Sequence, residues 1–416
     1  MSGPAGAISG GDPLARELLA EARAILPWMS EIRRDLHRHP ELGLEERRTS
    51  AKIQERLAEL GIDFVAGLAE TGVVGLIRGG DGGRVVALRA DIDALPIQEA
   101  NQVPYRSEEP GRMHACGHDV HTAVLLGAAR LLRDRMAGRA GAVKLIFQPA
   151  EETVGGARML VEQGVLEDPR VDAIFGLHVE PLREIGTVEL RYGQRNASSD
   201  NVAITVHGRS SHGAYPYAGV DAIVAAAHVV TALQSIVARN VDAHASAVVT
   251  LGTIEGGSQR NILAPQVTMI GTVRSLDPET RQLVLRRVRE VAEGVAAGFG
   301  ARAEVKIDPS YDPVINHDAM IDVVRANAER LFGRERIFLA DRPNMGVEDF
   351  GFYLGRVPGA FYSLGVRNEA AGIVHPVHSE RFDVDEESLA YGAALQAANA
   401  LAILDGAPGG AGGGSC

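Results

Sequence analysis

Residues 72–179 alternate runs that are apolar throughout with runs of helical spacing, and near residue 200 that rhythm changes. GVVGLI (72–77), RVVALRA (84–90), AVKLIFQPA (142–150) and VDAIFGLHV (171–179) are strand-like. TAVLLGAARLLRDRMAG (122–138) and GGARMLVEQGV (155–165) lie among them at helical spacing. Strands without polar alternation belong to a sheet covered on both faces, which predicts a buried, largely parallel α/β layer. Between 200 and 308 the order is βαββαβ: NVAITVHG, a long helix over 219–239, strands over 246–257 and 266–275, a helix over 279–299, and ARAEVKID (301–308). That order is the ferredoxin-like split unit. Helical spacing returns at 319–331 and 385–405, and it also fills 13–60 with a break at His39-Pro40.

The pattern predicts an α/β domain in two parts, 13–197 and 310–405, interrupted by an inserted α+β domain at 198–309. Residues 1–12 and the Gly-rich 406–416 are expected to be disordered ends. A chain of 416 residues exceeds the roughly 250–300 beyond which one core splits, in keeping with two domains. No internal repeat is evident.

Charge narrows the partners. The formal net charge of −12 argues against nucleic acid or an anionic membrane surface. The arginines are scattered, and only Lys52, Lys144 and Lys306 are lysine. No run approaches the ~20 apolar residues of a membrane helix, and MSGPAGAISGGDP has neither a basic start nor an apolar stretch, so no secretory signal is expected. Cys116 and Cys416 are the two cysteines, and Cys416 ends the Gly-rich tail. A structural disulfide is not expected, a reducing, cytoplasmic setting is, and Cys116 needs another explanation.

Polar residues gather at the carboxyl ends of the first strands, where open α/β sheets place their sites. In MHACGHDVH (113–121), Cys116 and His118 sit two apart ahead of a helix, close enough to serve adjacent metal ions. Alone, the segment is equally a buried thiol beside structural histidines. In QPAEETVGGA (148–157), Glu151 and Glu152 must diverge, so one can bind metal while the other faces an attacking water. Acids favoured at a helix start explain one of them better than both. His178 ends an apolar strand in GLHVEP (176–181), where a satisfied core histidine is the plain alternative. HPVHSERFDVDEE (375–387) adds His375 and His378 from far along the chain. One thiol, three imidazoles and a carboxylate from separate segments exceed what scattered core histidines supply.

The strings LHRHPELGLEE, RADIDALPIQE, HACGHDVHT, QPAEE, GLHVEP, GAYP, GTVR, GVEDFGFYL and HSERF, collinear from about residue 31 to about residue 400, resemble the aminoacylase/carboxypeptidase-type two-metal metallopeptidases. Within them the chain resembles the amidohydrolase branch of hippurate hydrolases, auxin-conjugate hydrolases and N-acyl-amino-acid amidohydrolases. The resemblance implies a zinc-exopeptidase-like catalytic domain with a ferredoxin-like lid and dimerisation domain. It implies that Cys116, His118, Glu152, His178 and His378 bind two divalent metal ions, zinc foremost with manganese, cobalt or nickel as alternatives. Glu151 is then the general base. Asp93 would orient a ligand. Asp91 stands where the wider family has a histidine ligand, and its role stays open between orienting a ligand and accepting a structural hydrogen bond.

The expected reaction is cleavage of the amide of an N-acyl amino acid or short peptide, with Glu151 moving the water's proton to the leaving nitrogen. From the inserted domain, His212 (in RSSHGAYP) fits a donor to the oxyanion, contributed by the partner subunit in the resembling family. Asn261 and Arg274 would hold the substrate carboxylate, a surface salt bridge being the alternative for Arg274. Tyr217 departs from the histidine of many relatives. Ser210 and Ser211 beside His212 lack a G-x-S-x-G setting, which disfavours a serine hydrolase. His37 and His39 read as structural, and Glu348 and Asp349 as supporting residues. A dipeptidase or carboxypeptidase on the same metals, or a metal-free scaffold, are the competing readings. A homodimer is expected.

Overall fold

The computed structural model describes residues 12–407; most of the two expected disordered ends, with Cys416, lie outside the described residues. The described chain forms two compact units. The first holds the chain up to Gly193, then Ile315–Asp341, then the chain from Phe352 onward; the second holds Gln194–Val314 and Arg342–Gly351. The segment Arg342–Gly351, with Glu348 and Asp349, thus groups with the second unit, although the sequence pattern runs it together with 310–405.

The first unit is built on an eight-stranded sheet: β1 (Asp63–Leu68), β2 (Gly72–Arg78), β3 (Gly80–Asp91), β4 (Ala140–Gln148), β5 (Ala173–Glu184), β6 (Val188–Leu190), β7 (Ile337–Leu339) and β8 (Gly359–Arg367). Their order is β1-β2-β4-β3-β5-β8-β6-β7. The centre, β4-β3-β5-β8, is parallel, and β1 and β2 add antiparallel at one side. Strands β4 and β8 are buried along nearly their whole length, as strands of a sheet covered on both faces are. Helices His118–Arg133 and Ser388–Leu404 pack so closely that a Cβ on Gly392 would stand 2.9 Å from the Val124 side chain.

Strand β8 is the main departure from the sequence pattern, which marks only helices in 310–405. GAFYSLGVR is buried along nearly its whole length and pairs parallel with β5, setting Ser363 opposite His178. Register fixes where the chemistry falls. Asp91 pairs with Gln148 and Arg89 with Gly176, so Asp91, Gln148 and His178 stand level at the carboxyl edge of the sheet.

The second unit has a four-stranded antiparallel sheet ordered 302–311, 198–207, 266–275, 247–256. Helices Ala222–Leu233 and Pro278–Gly298 lie on it around a core of Val202, Ile204, Val229, Met269, Val288 and neighbours. One expectation needs correcting here: Ala222–Asn240 is long and apolar enough to cross a membrane, with mean hydropathy 1.5. A turn at Gln234 interrupts it, and Ala222, Ala225, Ala226, Val229, Leu233 and Ile236 face the unit's core, so it packs as a core helix.

Candidate metal centre

Cys116 and His118 flank Gly117, whose φ of +84° is left-handed and whose Cβ, if present, would stand 2.5 Å from Val179 Cγ2. Only glycine fits both demands, and the turn it allows puts the thiol and the imidazole at the mouth of helix His118–Arg133. His118 is fully buried. Its Nδ1 lies 3.1 Å from Asp93 Oδ1, while its Nε2 is buried without a hydrogen-bond partner among the described residues. Placing the proton on Nδ1 leaves a lone pair on Nε2, as a metal-binding imidazole requires.

His178 repeats this logic. Its Nδ1 lies 2.7 Å from the Val179 carbonyl oxygen, so the proton belongs there, and its Nε2 stands 3.3 Å from Cys116 Sγ. His378 arrives on a left-handed residue (φ +62°), anchored by its N–H donating to the Ala115 carbonyl at 2.7 Å. Its Nε2 lies 3.1 Å from Glu152 Oε1. The donor atoms of Cys116, His118 and His178 all lie within 4.8 Å of one another, and so do those of Cys116, Glu152 and His378. Two trios thus share one thiol. Glu151, largely buried, joins a further such group with His118 and Glu152.

Electrostatics ask for cations here. Burial pushes the Cys116 thiol far above its usual range, and the charges of Glu152, Glu151 and Asp91 push the same way. A thiolate at this position needs positive charge beside it, which divalent ions supply. Burial holds His178 down at about 3, aided by His121, so its ring is neutral and its lone pair free to coordinate. Burial opposes protonation of His118, but Asp91, 3.6 Å from Nε2, and Asp93 outweigh it and push the ring up to about 10, so a cation binding at Nε2 would have to displace a proton there. A sulfur, nitrogen and oxygen donor set, one orphaned buried nitrogen and an excess of negative charge all fit two divalent cations.

Asp93 bridges two of the expected ligands. One oxygen engages His118 and the other accepts the Glu152 N–H at 3.0 Å. Asp91, left open by the sequence, accepts from Arg89 Nη1 at 2.7 Å and from His121 Nδ1. Burial opposes its ionisation, yet Arg89, His118 and His121 hold it well below the usual carboxylate range. His121 is not among the residues expected from the sequence. Its Nε2 accepts the Val179 N–H at 3.0 Å, so it struts Asp91 against the strand end that carries His178. Its position three after His118, on the same helix face, was the available signal.

Of the other expected site residues, His212, Asn261 and Arg274 belong to the second unit. His212 and Asn261 sit on paired segments, with Gly213 N–H donating to the Asn261 carbonyl at 2.7 Å and both side chains exposed. Arg274, on strand 266–275, is half-buried, with Nη1 buried and unpartnered among the described residues. His39 ends helix Leu26–Arg38 with Nδ1 2.9 Å from the Asp35 carbonyl, and His37 is buried with Nδ1 2.8 Å from Asp119, both structural arrangements.

Residues 87–401 match the model of a family described as Peptidase family M20/M25/M40. Over 375 residues the chain is 40% identical to the N-acetylcysteine deacetylase of Bacillus subtilis (strain 168), covering 90% of this chain and 96% of that protein. It is 37% identical over 392 residues to thermostable carboxypeptidase 2 of Saccharolobus solfataricus, covering 93% and 98%. The crystal structure of the Bacillus subtilis YXEP protein, described as a dinuclear metal binding peptidase, has a TM-score of 0.81 at 38% identity, covering 92% of this chain and 99% of that one. The chain belongs to the peptidase family M20/M25/M40, as a metal-dependent amide hydrolase whose donor set suits two divalent cations.

Proposed function

We propose that this enzyme cleaves the amide bond of N-acyl amino acids, releasing a carboxylic acid and a free amino acid, with Glu151 as general acid/base. One observation carries the reading: Glu151 offers a carboxylate oxygen within 4.8 Å of the donor atoms of His118 and Glu152. Cys116, His118, Glu152, His178 and His378 would hold the two ions, zinc being favoured by the thiolate and imidazole set over manganese, cobalt or nickel. When bound, such ions polarise the scissile carbonyl and acidify water.

The chain's own groups supply the rest. Glu151 takes a proton from the attacking water and returns it to the leaving nitrogen. Asp93 keeps the His118 proton on Nδ1 and steadies the Glu152 backbone. In the proposed dimer His212, contributed across subunits as in the resembling family, is the donor to the oxyanion, and Asn261 and Arg274 hold the substrate carboxylate. The unpartnered Nη1 of Arg274 supports that choice, because a buried guanidinium nitrogen lacks only an acceptor.

The proposed enzyme works as a cytoplasmic homodimer. A thiol ligand keeps its function under reducing conditions. For pairing, strand 247–256 is an edge of its sheet and exposes Val248 and Ile254, while helix Ala222–Leu233 exposes Ile223 and Val224. Light scattering giving a strict monomer would remove the dimer.

Turnover of N-acetyl, N-benzoyl and dipeptide substrates by enzyme reconstituted with each defined metal tests the function. Preference for the acyl substrates supports the reading. Preference for dipeptides, which the resemblance to a carboxypeptidase keeps in view, replaces it with a peptidase on the same ions.

A further inference from the structure

We infer that the segment Glu41–Glu46 braces the general base, and that Glu46 is a positioning residue whose carboxylate holds Ala150 in the left-handed turn from which Glu151 and Glu152 are aimed. The inference deepens the proposed function, since it rests on the roles given there to the two glutamates.

Ala150 is a buried non-glycine residue with φ +55°, a conformation L side chains rarely adopt without something holding them there. With Pro149 it links β4 to the glutamate pair, so its backbone angle sets the direction in which both side chains leave the sheet. Three contacts hold it. Its N–H donates to Glu46 Oε1 at 2.9 Å. Its carbonyl accepts from the N–H groups of Gly155 and Gly156 at 3.1 and 3.2 Å. Gly43 packs against it so tightly that a Cβ there would stand 3.1 Å from Ala150 Cα and 2.5 Å from Thr153 Oγ1.

Glu46 is itself fixed. It is fully buried, and its second oxygen accepts the Thr71 hydroxyl at 2.6 Å. The remainder of the segment is pinned at its other end. The Glu41 carboxylate accepts the N–H groups of Arg48 and Thr49 at 3.0 and 2.7 Å, closing the start of helix Arg47–Glu59. The Glu41 carbonyl accepts the N–H of Ala94, the residue after Asp93, at 2.8 Å. One short segment therefore touches both strand ends that organise the centre, at Ala94 and at Ala150. A buried carboxylate is expensive. Neither metal ligation nor proton transfer uses this one, and beyond its own backbone it accepts from the turn before the general base and from Thr71.

The test compares Glu46→Ala, Glu46→Gln, Ala150→Val and the double variant Glu46→Ala/Ala150→Gly as zinc-loaded full-length enzymes. The readouts are kcat, KM, zinc affinity by calorimetry and the φ of residue 150 in crystals. Glu46→Ala is expected to lower kcat by about 10- to 100-fold with KM nearly unchanged, and to weaken zinc binding, as misplacement of a reacting group does. Glu46→Gln keeps an acceptor for the Ala150 N–H and is expected to stay close to the parent. Glycine adopts positive φ without penalty, so the double variant should recover much of the lost kcat. Ala150→Val should reproduce the defect. Parent-like kcat and zinc affinity in both Glu46→Ala and Ala150→Val would overturn the inference, and so would Glu46→Gln being as impaired as Glu46→Ala. Should Glu46→Ala not fold, Ala150→Val and Glu46→Gln decide it. If the parent fails to turn over N-acyl amino acids, the substrate reading falls, and zinc affinity with the φ of residue 150 still judges the brace.

Discussion

Asp93 joins His118 to Glu152: one carboxylate oxygen lies 3.1 Å from the His118 ring nitrogen Nδ1, and the other accepts the Glu152 backbone N–H at 3.0 Å. A single buried side chain thus engages the ring of one expected ligand and the backbone of another. Removing it should be felt in metal binding before it is felt in the fold. Asp93→Ala is expected to weaken metal affinity by about 10- to 100-fold, the usual cost of losing such an orienting carboxylate. Competition with a chelator of known affinity measures it, and an unchanged affinity would show that His118 and Glu152 hold their places without Asp93.

Glu151→Gln separates proton transfer from metal binding. The substitution preserves size, and the proposed donor trios do not depend on residue 151. Two equivalents of metal and a parent-like melting temperature are expected, with kcat lower by about 10²- to 10⁴-fold. Elemental analysis alongside steady-state kinetics checks both halves. Parent-rate hydrolysis would move the base elsewhere.

Glu46 also predicts a pH dependence of stability. Burial, with Asp93 nearby, raises its carboxyl from 4.5 to about 7 against the hydrogen bonds from Thr71 and Ala150. The folded state then holds a proton that the unfolded chain releases near 4.5. This contribution is complete below pH 4.5 and is lost as pH rises to about 7, up to roughly 3 kcal/mol in all. Glu46→Gln cannot titrate. Between pH 5 and 8 its urea-unfolding free energy should therefore fall less than the parent's, and equal slopes would show that the carboxyl is not held up.

The first unit's strands were legible because a sheet covered on both faces leaves an uninterrupted apolar run, as in VDAIFGLHV. Of the proposed donors, Glu152 follows such a run and His178 lies in one, whereas Cys116 and His118 precede a helix and His378 lies in a distant turn, so these drew notice through their residue types and spacing. Other parts were hidden for physical reasons. Glu46 meets Ala150 across 104 positions and Arg33 meets Asp119 across 86, so neither carries a local signal. His121 at helical spacing from His118 looks like any core histidine until its two nitrogens are seen to bridge Asp91 and Val179. Strand β8 sits among helices in sequence, and only its pairing with β5 reveals why GAFYSLGVR is apolar on both faces.

Arg33 ties together two segments that carry expected ligands. Its Nε donates to Asp119, the neighbour of His118, at 2.9 Å, and its Nη2 donates to Asp383, five residues past His378, at 2.9 Å. The guanidinium also lies 4.6 Å from the Tyr105 ring centroid, and its side chain is fully buried. If the arginine goes, Asp119 keeps the His37 ring at 2.8 Å as its hydrogen-bond partner among the described residues. Arg33→Met should therefore destabilise the enzyme by about 3–5 kcal/mol, because it strands a buried carboxylate, while Arg33→Met with Asp119→Asn should recover part of that loss. Urea unfolding of the four proteins in the double-mutant cycle measures the coupling directly. Additive losses would mean that the two residues stabilise the fold independently, and that the order around His378 has another source.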